Sequence, residues 1–218
     1  MRIEKVTDKI TLYNCDCMEY MKNIPDKYFD LAICDPPYGI NRSGQRLTIC
    51  KNKSHNRKYF ENRGWDNKTP TKEYFDELFR VSKNQIIWGA NYFVKYMMPK
   101  MGWIVWDKGQ YGLSMSDGEL AYSSFDKALR IITINRCELA KEGTTHPTQK
   151  PVKLYEWLLK NYAKPTDKIL DTHFGSCSIG IACHNFGCSL DACEIDEEYF
   201  EGAYKRLRMH VRQLDLFK

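Results

Sequence analysis

The chain has 218 residues, 43% of them hydrophobic, enough to bury one substantial core and too few for two full domains. The charged start MRIEKVTDKI and the lack of any apolar run near the ~18 residues of a membrane helix argue against a signal peptide or anchor, so a soluble chain is expected. Its nine cysteines are then read as reduced, buried thiols: Cys15-x-Cys17 and the five-residue steps Cys183, Cys188, Cys193 do not match paired C-x2-C zinc spacing, and no metal is expected.

In chain order, Ile10 to Tyr13 reads as a strand, Cys17 to Asn23 as a short helix and Asp30 to Cys34 as a strand ending at Asp35-Pro36-Pro37-Tyr38-Gly39. Residues 41–68 follow without apolar periodicity. Thr69-Pro70-Thr71 opens a helix through Val81, with Tyr74, Phe75, Leu78 and Phe79 on one face. Gln85 to Trp88 and Trp103 to Trp106 are further strands, and Leu120 to Ser124 with Leu129 to Ile134 reads as an antiparallel hairpin. Val152 to Tyr162 is a helix, Ile169 to Asp171 a strand and Ile179 to Phe186 a helix capped by Gly187. Leu190 to Glu194 is a strand and Glu197 to Leu214 the last helix. Strands separated by crossover helices predict an α/β fold: a mixed, mostly parallel sheet with helices on both faces.

Residues 41–68 carry eight basic side chains, Arg42, Arg46, Lys51, Lys53, Arg57, Lys58, Arg63 and Lys68, against Glu61 and Asp66, more than the chain's whole excess of +5. With Tyr59, Phe60 and Trp65 interleaved, the segment reads as a long mobile loop suited to a polyanion, because cations displace counterions from phosphates and rings stack on bases.

Ligands in such sheets sit at the carboxyl ends of the strands. There the chain places Asp171, then the small-residue turn of DTHFGS before a helix N-terminus. Glu194 ends the next strand, where a carboxylate suits two ribose hydroxyls, and Asp16 closes the first strand, placed for an adenine edge. Singly, each acid is an ordinary cap or turn residue; together they point to a nucleoside cofactor. The turn Asp35-Pro36-Pro37-Tyr38 then suits one chemistry. An exocyclic base amine is a poor nucleophile. A carboxylate (Asp35) and a carbonyl (Pro36) that accept its two N–H protons concentrate density on nitrogen, Pro37 helps fix the turn, and Tyr38 offers a face to an extruded base.

Together, DPPYG at 35–39, HPTQKP at 146–151, DTHFGS at 171–176 and the strand ending in Glu194 resemble the S-adenosylmethionine-dependent amino-methyltransferases of DNA. The catalytic motif precedes the cofactor loop, as in the permuted beta class, and NQIIWGANYF and GWIVWDK are similar to small phage-type members. The resemblance runs from about Ile10 to Leu207. It implies a Rossmann-like class I methyltransferase fold in a single domain, 1–211, and adenine N6 as target, as DPPY marks adenine enzymes in the family, with cytosine N4 left open.

By position, it implies catalytic roles for Asp35, Pro36, Pro37 and Tyr38. A cofactor pocket would be lined by Asp16, Asp35, Asp171, His173, Gly175, Ser176 and Glu194, with Thr148 and Lys150 beside the methionine carboxylate. Double-stranded DNA is the implied partner, a homodimer is left open, and the setting is the cytoplasm of a bacterial or phage-infected cell, where pairing with a restriction enzyme is also open. The loop departs from the family's D-P-F-x-G-S-G: Thr172, His173 and Cys177 stand where Pro, Phe and the second Gly are usual, which bears on cofactor affinity.

Between Arg130 and His146 there is only a short connection where larger members insert a recognition domain, so the basic loop is expected to meet the DNA. The tail, 212–218, contains Gln213, Leu214, Leu216 and Phe217, similar to the peptide with which bacterial proteins dock on the replication sliding clamp. An RNA methyltransferase and a catalytically idle nucleic-acid-binding relative are the competing readings.

Overall fold

The computed structural model describes residues 1–49, 58–112, 116–135 and 137–215. Among these residues nine strands lie in one sheet: β1 (Arg2–Lys5), β2 (Ile10–Asn14), β3 (Phe29–Cys34), β4 (Ser82–Trp88), β5 (Trp103–Asp107), β6 (Gly118–Ser123), β7 (Arg130–Thr133), β8 (Lys168–Asp171) and β9 (Ser189–Glu194). Their order is β1-β2-β9-β8-β3-β4-β6-β5-β7. The five from β2 to β4 run parallel, so Asn14, Glu194, Asp171, Cys34 and Trp88 end on the same edge of the sheet. The helices are α1 (Cys17–Met21), α2 (Lys72–Val81), α3 (Cys137–Glu142), α4 (Val152–Tyr162), α5 (Ser178–Phe186) and α6 (Glu197–Asp215).

The two faces follow from side-chain alternation along β3. Leu31 and Ile33 point into a core shared with Leu154 and Leu158 of α4, Ile179 and Ala182 of α5 and Phe200 and Leu207 of α6. Ala32 and Cys34 point the other way, toward Tyr20 and Met21 of α1 and Phe75 and Leu78 of α2. Both faces of β3 are thus buried, which explains its continuous apolar run. Cys17, Cys34, Cys177, Cys183, Cys188 and Cys193 are buried free thiols within this packing. No helix among the described residues is long and apolar enough to cross a membrane.

Two local readings change. The hairpin expected from Leu120 to Ile134 does not form: β6 and β7 flank β5 on opposite sides, with Ile104 opposite Ala121 on one side and Arg130 on the other. Two apolar runs so close in sequence suggest a hairpin, but the chain between them instead passes the start of β5 at Gly102. The Gly102 carbonyl accepts the Ser123 N–H at 2.8 Å, and a Cβ on Gly102 would stand 2.6 Å from the Phe125 carbonyl oxygen. An antiparallel strand, β1, also precedes Ile10 and pairs with β2.

The crossing predicts that Gly102→Ala lowers stability by roughly 1–3 kcal/mol, since the methyl meets backbone that cannot yield easily. Urea unfolding measures it; an unchanged midpoint would mean the 123–127 segment does not pack on residue 102.

Candidate active site

The turn that follows β3 is held from across the basic segment. The carboxylate of Asp66, itself buried, accepts backbone N–H groups of Tyr38 at 2.7 Å, Gly39 at 2.9 Å and Arg42 at 2.8 Å. Three donors that helix or sheet would otherwise satisfy converge on one charged acceptor. The Tyr38 ring lies against the backbone of Gly89, at the end of β4, where a Cβ would come within 2.0 Å of the ring. Gly89 also has φ +69°, so side-chain size and backbone conformation both select glycine there. On its exposed side Tyr38 stacks on Tyr92 with centroids 5.1 Å apart.

This packing delivers Tyr38 Oη to Asp35 Oδ1 at 2.6 Å. Asp35 Oδ2 is paired with the Lys150 ammonium, whose side chain is 2% exposed. Lys150 also reaches Glu119 Oε2 at 3.1 Å and Tyr38 Oη at 3.1 Å, and Lys108 binds Glu119 Oε1 at 2.8 Å. The result is a row of alternating charge, Asp35, Lys150, Glu119 and Lys108, in which the two lysines are buried and the two acids half-buried. Burial pushes the Asp35 carboxyl up, against the pull of Lys150. Burial would lower Lys150, but Asp35 and Glu119 outweigh it and hold the ammonium above its ordinary value. Glu119 is held down at about 2 because Lys150 and Lys108 overcome its burial. Lys150, expected beside a methionine carboxylate, has its charge matched within the protein by Asp35 and Glu119.

Across the same edge of the sheet, Asp171 and Glu194 behave oppositely. Burial drives Asp171 up to about 8 and Glu194 to about 7. Their partners are backbone amides: Asp171 accepts from His173 at 3.0 Å, and Glu194 accepts from Asp196 at 2.9 Å and Gly175 at 3.1 Å. Neither makes an ion pair among the described residues. Buried carboxylates in this state suit a ligand that brings hydroxyl or cationic groups.

The DTHFGS turn between them is fixed by Thr172, whose hydroxyl bonds Tyr74 Oη at 2.6 Å and His173 Nδ1 at 2.9 Å. Burial lowers His173 to about 4, so its ring is neutral. Cys177 adopts φ +60°, the conformation that glycine holds at little cost, and Gly180 leaves room for its sulfur. Ser176 is buried, its hydroxyl 3.2 Å from that of Ser178. Asp16 is exposed and N-caps α1 through the Met18 N–H at 2.7 Å, which leaves its second oxygen outward. Thr148 Oγ1 lies 3.2 Å from His146 Nδ1; burial and Lys150 lower that imidazole to about 3.

The basic segment is less loose than its composition suggests. Gln45 and Phe60 exchange backbone hydrogen bonds, Lys58 Nζ donates to the Thr144 carbonyl at 2.9 Å, and Trp65 packs on His146, which packs in turn on Tyr199. Arg63, read as a DNA contact, is instead engaged internally. Its guanidinium binds both Asp196 oxygens at 2.8 and 2.7 Å, pairs with Glu198 and lies over the Tyr199 ring. Arg42, Arg46, Lys58 and Lys68 are exposed, whereas Lys51, Lys53 and Arg57 lie outside the described residues. Gln213 is exposed near the end of α6; the Leu214 side chain and residues 216–218, with Leu216 and Phe217, are also outside them.

Glu119, Lys108 and Asp66 carried no functional signal in the sequence. Glu119 opens an unremarkable strand in DGELAY, and only the meeting of β5 with β6 at Trp106 and Glu119 brings Lys108 to it.

The sheet thus gathers acids and lysines at its carboxyl edge, an arrangement shared in fold with solved DNA methyltransferases. Residues 105–205 match the N6_N4_Mtase family model, described as DNA methylase. The chain is 26% identical to the type II methyltransferase M.HinfI of Haemophilus influenzae, over 95% of this chain and 71% of that protein. It is 25% identical to M.HpaI of Haemophilus parainfluenzae, over 92% and 74%. In fold it is similar to the PvuII DNA methyltransferase (cytosine-N4-specific), TM-score 0.61 being reached by M1.HpyAVI in complex with SAM and 0.64 by the PvuII protein. These superpositions span 90% and 97% of this chain and 99% and 92% of the others, at 21% and 13% identity. In sequence the chain is thus similar to DNA methyltransferases of the N6/N4 amino type, and in fold to solved DNA methyltransferases.

Asp66→Ala leaves three N–H groups at the turn without their acceptor and is expected to lower stability by about 2–4 kcal/mol. Denaturant unfolding reads this; a change below about 0.5 kcal/mol would mean the turn is held by other contacts.

Proposed function

We propose that the protein transfers a methyl group from S-adenosylmethionine to the exocyclic N6 of an adenine turned out of double-stranded DNA. The observation that carries this reading is the placement of Asp35 and the Pro36-Pro37 turn, at the end of β3, beside Asp171 and Glu194 at the ends of the neighbouring β8 and β9. The two buried acids fit the cofactor: Glu194 would take the ribose hydroxyls and Asp171 with Gly175, Ser176 and His173 the methionine side, while the outward oxygen of Asp16 would meet the adenine edge. The cofactor supplies an electrophilic methyl group.

On the substrate side, Asp35 and the Pro36 carbonyl would accept hydrogen bonds from the two amine N–H groups and concentrate electron density on nitrogen, as the N–C bond forms and the methyl–sulfur bond breaks to leave a neutral thioether. The amine proton leaves as that bond forms, and a carboxylate whose proton affinity burial has raised is a competent acceptor. The Tyr38 ring, on which Tyr92 now stacks, would meet the extruded base in place of Tyr92, and the exposed Arg42, Arg46, Lys58 and Lys68 would hold phosphate. Lys51, Lys53 and Arg57 belong to the same basic run. The DPPY motif supports adenine; the likeness in fold to a cytosine-N4-specific protein makes cytosine N4 the second reading. The tail, Gln213 to Phe217, is the proposed sliding-clamp peptide.

Incubation with cofactor and DNA followed by mass analysis of the nucleosides tests the reading. N6-methyladenine is expected, reduced at least ~100-fold by Asp35→Ala; N4-methylcytosine selects the second reading, and methylated RNA or no product contradicts both. Cofactor affinity should also depend on pH. Glu194 must be ionised to accept ribose hydroxyls, and its pKa near 7 means the ionised fraction falls as pH drops. Binding is expected to weaken about tenfold from pH 8 to pH 6. Titration calorimetry measures it, and Glu194→Gln should bind more weakly and lose the share of the pH dependence that Glu194 contributes, leaving that of Asp171.

A further inference from the structure

Both oxygens of Asp35 are already engaged within the protein. Oδ1 accepts the Tyr38 hydroxyl at 2.6 Å and Oδ2 is taken by the Lys150 ammonium. An amine that bonds to this carboxylate competes with both donors, and a buried ammonium that gives up Asp35 needs a second anion to receive it. Glu119 stands where both displaced donors can go. Its Oε2 is 3.1 Å from Lys150 Nζ and 3.4 Å from Tyr38 Oη, so either donor changes acceptor by a small rotation. Its other oxygen is fixed by Lys108 at 2.8 Å, which keeps Oε2 directed at Lys150.

The backbone makes the arrangement rigid. Glu119 lies on β6 opposite Trp106 of β5, and Lys108 directly follows β5, its ammonium over the Trp106 ring. Lys150 in turn sits 5.4 Å over the ring of Trp88, on β4, which closes the cluster from below.

We propose that Glu119 is a positioning residue for methyl transfer, the alternative carboxylate onto which Lys150 and the Tyr38 hydroxyl move when Asp35 takes up the amino group. Lys108 is its anchor. Neither touches substrate; each acts through Asp35. The inference rests on the methyl-transfer reading above.

Glu119→Gln preserves shape and removes the charge. Its expected effect is a fall in kcat of roughly 30-fold or more, with the cofactor affinity and the KM for DNA within about twofold of wild type. The pH profile separates this from a packing defect. Loss of the neighbouring negative charge favours ionised Asp35, so the acid limb of kcat moves to lower pH. Lys108→Gln leaves Glu119 less neutralised and should move that limb to higher pH, with a smaller fall in kcat. Opposite displacements support the proposal, and Glu119→Asp should recover part of the rate. Wild-type kcat with an unmoved limb in Glu119→Gln overturns it; should that variant not fold, an unmoved limb in Lys108→Gln does so. Wild-type protein that methylates neither DNA nor RNA removes the methyl-transfer reading itself, and the inference with it, so the wild-type assay tells the two failures apart.

Discussion

An ammonium group buried between two carboxylates constrains everything around it. Lys150 belongs to HPTQKP, Asp35 to the turn after β3 and Glu119 to the start of β6, and Lys108 continues the row from the end of β5. Four segments must come together before all four charges are balanced, and removing one charge leaves its neighbour without a counterion. Such a cluster adds little net stability compared with apolar packing, but it fixes where each segment ends on the carboxyl edge of the sheet. The position of Tyr38 depends on it as well, through hydrogen bonds to Asp35 and Lys150.

The carboxyl edge of the sheet therefore has two electrostatic halves. Around Asp35 the charges are neutralised within the protein. Around Asp171 and Glu194 they are not, and burial holds both carboxyls near the point of protonation at neutral pH. A chemistry that joins a cationic, hydroxyl-bearing donor to a neutral amine has use for this division, with the first half tuned as acceptor and the second completed by a ligand.

Much of this was legible in the residues. The α4 helix runs from Val152 to Tyr162 as its apolar spacing predicts, and Gly187 ends α5 with φ +86°. The parallel strands announced themselves because both their faces are buried. What escaped was pairing between distant side chains. Lys150 could be placed in the site by its motif, but no local pattern tells that its charge is matched by Asp35 and Glu119. Arg63 looked free among other basic residues, yet Asp196 and Glu198 at the start of α6 bind it. Asp66 reduced a count of charges, whereas in the fold it carries the turn beneath Tyr38. The same limit produced the hairpin between β6 and β7: adjacency in sequence favours it, and β5 intervenes only in three dimensions.

The most direct measurement of the account is a structure of the protein with DNA and a non-reactive analogue of the methyl donor. The account predicts an extruded adenine with its amine on Asp35 and the Pro36 carbonyl, and Lys150 paired with Glu119 instead of Asp35. An amine bound elsewhere, with the Lys150–Asp35 pair intact, would contradict it.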